Sequence, residues 1–539
     1  MMTISGRTRF PGRHLRSGLF CLVILLLGGL VAASVQEETP RPKPGGELRV
    51  RPLGSALNTD LDPAGSGYPL VIEHLYEGLV RLDQNLNILP GLADYWSVAE
   101  NGRKVIFYLR QQAFFHNGQE VTAADVKFTY ERLFKLKSRP VFFQFASRIE
   151  GGEEFWNGLA PEVSGLRVVD KKVLEIDWKQ PGIPNFYFLA ADFAKILPAG
   201  PVQSQKKRFF EKPVGAGPFR FDYWLRNTRL DIIGIRLVRN ENYFTRKPFL
   251  EAVEISPMFR LEDFFENEIQ VIPYLTFRIP RDKYQILESN LLQLSYLFYS
   301  CHLPPFDNPE VRRALPAFLE RRQLAGLAST TANFCQVMDS YLPPFLPGFI
   351  PESIEQNQNL SRVLQTLEAA GLGRVDKPLT VNIFFEVANK DLIPSLYQFL
   401  RDELKPAGIK LELKPRPSPE ELAQEKTPYL FYLDWQPDLP DPEFVLQPLF
   451  QSEAILNRSY FHYKNPRLDE LLEAQKNSLN SDRRLNVFKQ IEKILQEEAP
   501  ALPLFFHKQR LAYQPYLKNL KARTGDFMVL NLKDVWMDR

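Results

Sequence analysis

Residues 88–133 read ILPGLADYWSVAENGRKVIFYLRQQAFFHNGQEVTAADVKFTYERL. The β-branched and aromatic run from Lys104 to Arg110 (KVIFYLR) suits a strand, and Asn117-Gly118 suits a turn. Thr122 then stands three residues before Asp125, the spacing of a helix N-terminal cap with an acid favoured by the helix dipole. The apolar positions that follow, Val126, Tyr130, Leu133 and Phe134, keep helical spacing. The block therefore reads as a capped helix docked on a sheet.

The same alternation continues outward. GELRVRPL after Gly45-Gly46 reads as a strand. Asp60-Leu61-Asp62-Pro63 and a Gly65 to Tyr68 loop follow, then a helix from Pro69 with Val71, Ile72, Leu75, Tyr76 and Leu79 on one face. Strands are expected at Val173 to Trp178 and Ile232 to Val238, with the irregular stretch Pro213 to Pro218 between them. A second half starts near LPPFDN (303–308), where Asn308 can cap a helix and Pro316 should kink or end it. Leu360 to Ala370, Leu392 to Leu404 and Ser481 to Glu498 read as helices and Ile409 to Leu413 as a strand. The best of these helices sets Leu485, Phe488, Ile491 and Leu495 on one side, with Pro500 past its end. The class is α/β or α+β with at least two lobes, and α/β is the expectation carried forward.

The chain has 539 residues, 44% apolar and 24% charged, ordinary values for a globular protein of about three folding units. Its formal charge of +3 comes from the amino-terminal end, where Arg7, Arg9, Arg13 and Arg16 meet no acid. Without those four of the 67 basic residues, 63 remain against 64 acids, a net −1. Nothing in that balance favours nucleic acid as a partner. The arginines precede the apolar run Gly18 to Ala33, and a Pro-rich linker, residues 35–44, follows. This is the order of a secretory signal over residues 1–34, cut after Ser34, with a retained membrane anchor as the alternative. Either way the bulk of the chain lies outside the cytoplasm, periplasmic or otherwise extracytoplasmic. Cys301 and Cys335 are the only cysteines beyond the signal, and the sequence leaves their pairing open.

No G-x-S-x-G, H-E-x-x-H, C-x-x-C or glycine-rich phosphate loop is present. The histidines, at 14, 74, 116, 302, 462 and 507, lack the spacing of a zinc site. Neither a catalytic group nor a cofactor is expected.

Tyr429 to Pro442 reads YLFYLDWQPDLPDP. A short aromatic strand enters a loop with three carboxylates, Asp434, Asp438 and Asp441, and three prolines. Prolines restrict the loop before any ligand arrives, so less entropy is lost on docking. A carboxylate beside Trp435 suits a ligand ammonium. On residues alone, a simple Asp-Pro turn satisfies the stretch as well.

From about Gly45 to the C-terminus, the chain resembles the extracytoplasmic solute-binding proteins of ABC importers, in the peptide-binding class with nickel-, haem- and sugar-binding members. The landmarks are GGELRV, LDP, LYEGLVRLD (75–83), the 88–133 block, PVGAGPFRFDYW (213–224), RNENYF (239–244), LPPFDNPEVRRAL (303–315), DWQPDLPDP, and PLFFHKQRLAY (503–513). The resemblance implies two lobes joined by hinge strands and closing on a ligand, with an extra subdomain on the first lobe. The boundaries it implies are 45–78, 213–296 and 502–539 for lobe I, 79–212 for the extra subdomain and 297–501 for lobe II. It also implies a non-catalytic monomer that binds a short peptide and delivers it to permease subunits in the inner membrane. In the family's W-x-x-D pattern, Trp435-Gln-Pro-Asp438, the aspartate meets the peptide α-ammonium and Trp435 is a pocket wall. Asp434, Asn240 and Tyr68 lie where ligand contact is also expected, although the last two equally suit capping and turn roles. The chain departs from the pattern at Tyr432, where a member has a ligand-binding arginine, at Pro316, and at Glu266 to Gln270. A metal chelate or glycan as ligand, a tethered sensor and an exported enzyme are the alternatives.

Overall fold

The computed structural model describes residues 41–539 apart from 54–57, 66, 275–278, 331, 352–359 and 526–528. The expected signal or anchor lies outside the described residues, as does most of the linker. Among the described residues, no helix is long and apolar enough to cross a membrane.

Two long strands, Gln285–Tyr299 and Ala501–Tyr513, lie antiparallel at the centre of an eleven-stranded sheet. Their neighbours change along their length. At one end Val271–Pro273 pairs with 511–513 and leads on through Glu47–Val50, Ala252–Ile255, Ile232–Arg239 and Phe219–Arg226. At the other, Tyr429–Trp435 pairs with 294–299, followed by Leu379–Glu386 and Ile409–Leu413, while Asn333–Val337 takes the far edge of 505–509. The pair of strands thus passes from one half of the molecule to the other. Between the halves its register breaks: Asn290 faces Lys508 and Leu294 faces Phe506, so three residues oppose one. Such a bulge bends a strand and loosens its ladder, which suits a flexible joint. Gly525 lies across the bulge, its N–H donating to Asn290 O at 2.8 Å while Leu292 N–H donates to its carbonyl at 3.0 Å.

The opening block of sequence folds as expected. Lys104–Leu109 is the second strand of a four-stranded antiparallel sheet with Ala93–Ala99, Val173–Asp177 and Leu166–Asp170. Thr122 and Asp125 form a reciprocal capping box at the start of helix Ala123–Leu136, which buries Val126, Tyr130, Leu133 and Phe134. This subdomain is inserted between the first strand and the return to the large sheet at Phe219.

The subdomain meets the second half through a chain of buried polar groups. Asp441 caps helix Pro442–Phe450 and grips Arg484 with both oxygens at 2.5 Å each. Arg484 also donates to Gln475 Oε1, and Gln475 Nε2 donates to Glu443 at 3.0 Å. Glu443 in turn pairs with Arg148 of the subdomain, whose guanidinium lies 5.1 Å from the Phe188 ring centre. Helix Ser481–Glu498 therefore turns Arg484 inward beside Phe488, Ile491 and Leu495, whereas Leu485, expected on that face, is only half-buried.

About two turns beyond Arg484 on that helix, Glu492 is fully buried. It accepts from Ser340 Oγ at 2.7 Å, Tyr341 N–H at 3.1 Å and Leu342 N–H at 2.7 Å. Burial outweighs these donors and pushes its carboxyl up to about 7. Since the folded chain holds this proton more tightly than the unfolded one, the contribution is full below the ordinary carboxylate range and is lost as pH rises through about 7. Denaturant unfolding should show wild type losing on the order of 3 kcal/mol more than Glu492→Gln between pH 4.5 and 8; equal losses would remove this role. Arg484→Met, which strands Asp441 without its cation, should cost about 3–5 kcal/mol in the same measurement, and a loss under about 1 kcal/mol would show that the pair contributes little.

Candidate functional site

The strand Tyr429–Trp435 is buried on both faces, Tyr429 and Phe431 in one apolar cluster and Leu430 and Tyr432 in another. It runs antiparallel to 294–299 and parallel to 382–386, which fixes where the following loop begins. Pro437, Pro440 and Pro442 then limit the loop's conformations, and the Asp441–Arg484 pair closes it at the far end.

The three carboxylates of this loop have three different surroundings. Asp434 accepts from Ser295 Oγ at 2.6 Å and from Ala388 N–H at 3.2 Å, tying the loop to the long strand; burial raises its pKa despite these donors. Asp441 is the cap and ion-pair partner described above. Asp438 faces a cavity of about 640 Å³. Its Oδ1 accepts from Arg139 Nη2 at 2.9 Å, and the two side chains are 40% and 38% exposed.

That cavity is assembled from distant parts of the chain. Gly65, Gly67 and Ile72 come from the first loop and helix, Arg139, Tyr187 and Phe193 from the subdomain, Leu439 and Pro440 from the loop, and Arg523 from the C-terminal segment. The first loop is drawn tight by Asp62, which accepts from Ala64 N–H and pairs with Arg132. A Cβ on Gly67 would stand 2.5 Å from Asp60 O, so a side chain there would force the loop to shift. Arg523 is held by Glu73 at 3.1 Å and Asp192 at 3.4 Å. Burial disfavours the Glu73 anion, but Lys195, 2.7 Å away, and Arg523 hold its carboxyl well below the usual range.

The other residues singled out in the sequence stand behind or away from this cavity. Trp435 is half-buried, and its Nε1–H donates to Phe444 O at 3.2 Å. Tyr68 precedes helix Pro69–Leu75 and packs against the core of the first half, where burial raises its phenol pKa; its neighbours Gly67 and Pro69 line the cavity. Asn240 is buried in a turn, with Nδ2 donating to Gly217 O at 3.0 Å and Oδ1 accepting from Asn242 N–H at 3.1 Å. Conversely, Arg139, Asp192, Tyr187 and Arg523 reach the cavity without any sequence signal. Arg139 is one of 67 basic residues, and only the packing of helix Pro140–Ala146 turns it toward Asp438.

Cys301 and Cys335 are free thiols, and burial raises both. His302 and His462, far apart in sequence, have ring centres 4.1 Å apart. Among the described residues, no group of three or more His, Cys, Asp or Glu is arranged to hold a metal ion.

The family profile described as bacterial extracellular solute-binding proteins, family 5 Middle, matches residues 87–457. The dipeptide-binding protein of Escherichia coli strain K12 is 25% identical over 545 residues, spanning 95% of this chain and 96% of its own. The peptide transport periplasmic protein SapA of Salmonella typhimurium is 24% identical over 542 residues, covering 94% and 95%. Among solved structures, the unliganded open form of the murein tripeptide-binding protein MppA gives a TM-score of 0.76 at 22% identity, covering 92% of this chain and 99% of that one. Haemophilus influenzae OppA in complex with RPPGFSPFR gives 0.66 at 17% identity, covering 93% and 100%. The architecture is thus the two-lobed one of periplasmic binding proteins, with the long strand pair passing between the lobes. A cavity built from both halves, on a fold of this type and with a family match over most of its length, makes this chain a member of the bacterial extracellular solute-binding proteins, family 5.

Proposed function

We propose that the protein is an extracytoplasmic receptor that captures short peptides by closing its two lobes and delivers them to an ABC importer in the inner membrane, without chemistry of its own. The observation that carries the reading is the position of Asp438. It sits at a proline-stiffened corner fixed from both sides, facing a cavity to which lobe, subdomain and C-terminal segment all contribute. One oxygen already holds a guanidinium, so the site is built to take a cation in a charge-assisted hydrogen bond. A peptide α-ammonium is such a cation. The relatives named as dipeptide- and peptide-binding proteins support the choice of ligand class.

In this reading lobe I comprises residues 45–78, 213–296 and 502–539, the extra subdomain 79–212, and lobe II 297–501. Bending occurs at the register break opposite residues 506–508. Ligand contacts from both sides then stabilise the closed form, which the permease recognises. Asp438 binds the ammonium. Trp435 and Asp434 fix the strand end that leads into the loop, Tyr68 precedes the helix whose first residue lines the cavity, and Asn240 holds the turn at 240–242. Both halves of the cleft come from one chain, so a monomer suffices. An export signal over residues 1–34 places it in the periplasm or at the outer face of the membrane.

Titration calorimetry of short peptides against the purified protein tests the reading. Asp438→Asn should weaken binding by roughly 2–4 kcal/mol, and N-acetylation of the peptide should cost wild type a similar amount while costing the variant little. Equal affinity of free and acetylated peptides for wild type would contradict the assignment.

A further inference from the structure

We infer that Arg139 is a specificity-determining residue. It makes the ammonium site selective for ligands that carry an anionic group next to their free amine, such as peptides with an amino-terminal glutamate or aspartate. The inference rests on the peptide-receptor reading and adds a ligand preference to it.

Among the described residues, four charged side chains line the cavity: Asp438 and Asp192, Arg139 and Arg523. Arg523 is already engaged by Glu73 and Asp192. What remains facing a ligand is the Asp438–Arg139 pair, which is net neutral. A lone ammonium entering beside a neutral pair gains attraction from the carboxylate and meets repulsion from the guanidinium. A ligand that brings both signs gains from both partners.

Arg139 is held in place: its guanidinium carbon lies 5.6 Å from the Phe142 ring centre and 5.5 Å from that of Phe193. Two aromatic faces and the carboxylate orient it before any ligand arrives, so little ordering entropy remains to be lost. The bond to Asp438 uses Nη2 and Oδ1. A guanidinium has five N–H donors and a carboxylate four acceptor sites. Among the described residues, the Arg139 guanidinium makes no other hydrogen bond, and Asp438 Oδ2 accepts none. An ammonium can therefore take Oδ2 while Arg139 keeps Oδ1 and offers its remaining N–H groups to a carboxylate on the ligand's first residue. The pair is more than a third exposed, so a ligand reaches it without unpacking the core.

Calorimetry with tripeptides and pentapeptides beginning with Glu, Ala or Lys and otherwise identical tests this at low ionic strength. Wild type should bind the Glu-first peptide at least about tenfold more tightly than the Lys-first one. Arg139→Gln should bring that ratio to within about threefold and tighten binding of the Ala-first peptide, since its amine no longer meets a competing cation. A wild type without preference for Glu overturns the inference by itself, with no variant needed. So does an Arg139→Gln protein that keeps the wild-type ratio. If binding still depends on Asp438 in either case, the peptide-receptor reading stands; if no peptide binds wild type at all, both fall together.

Discussion

The molecule depends on two antiparallel strands that run from one half to the other. Residues 285–299 and 501–513 are neighbours along almost their whole length, yet the strands flanking them change completely between one end and the other. Separate apolar clusters form at the two ends of the shared ladder, while a third runs from the subdomain into the second half, and the widest break in the ladder falls at residues 291–293. A continuous register would have made the sheet stiff. The ladder has a second, smaller break between Ser295 and Tyr296, but the wider one, with three residues opposite one, lies where the flanking strands change, which suits a hinge.

Around that joint, one short loop separates structural from exposed charge. Asp434 ties the loop to the long strand through Ser295. Asp441 anchors it through Arg484, in a polar chain that continues through Gln475 and Glu443 to Arg148 of the subdomain. With both ends held, the middle carboxylate, Asp438, is the one left facing the cavity. A buried ion pair of this sort is weak evidence of added stability, because desolvation offsets much of the attraction. Its value here is positional: it fixes a carboxylate at the mouth of a cleft to within a hydrogen bond's tolerance. The subdomain, through Arg139 and the aromatic rings beneath it, supplies the opposite wall.

Much of this was legible in the sequence where local rules decide. Thr122 and Asp125 announced a helix start, Asn308 and Pro309 another, and both form as side-chain caps. The strand at 104–109 and the helix at 481–498 followed from composition and spacing, and the family resemblance extended these fragments to a two-lobed whole. What stayed hidden depends on long-range packing. LLQLSYLFY (291–299) is buried on both faces, so it shows no alternation by which a strand is recognised. Arg484 occupies a helix face that charge alone would assign to solvent, and is drawn inward by a carboxylate 43 residues away. Arg139 and Asp438 are 299 residues apart, and His302 and His462 likewise meet only in the folded chain. No spacing rule reaches over such distances, so the loop could be singled out from the sequence while the side chains opposite it could not.

The most direct test is a crystal structure of the protein with a free-amine peptide bound. The lobes should be closed over the ligand, with the peptide's amino nitrogen within about 3 Å of an Asp438 oxygen. A peptide bound with its amino end elsewhere, or reversed with its carboxylate toward Asp438, would contradict this.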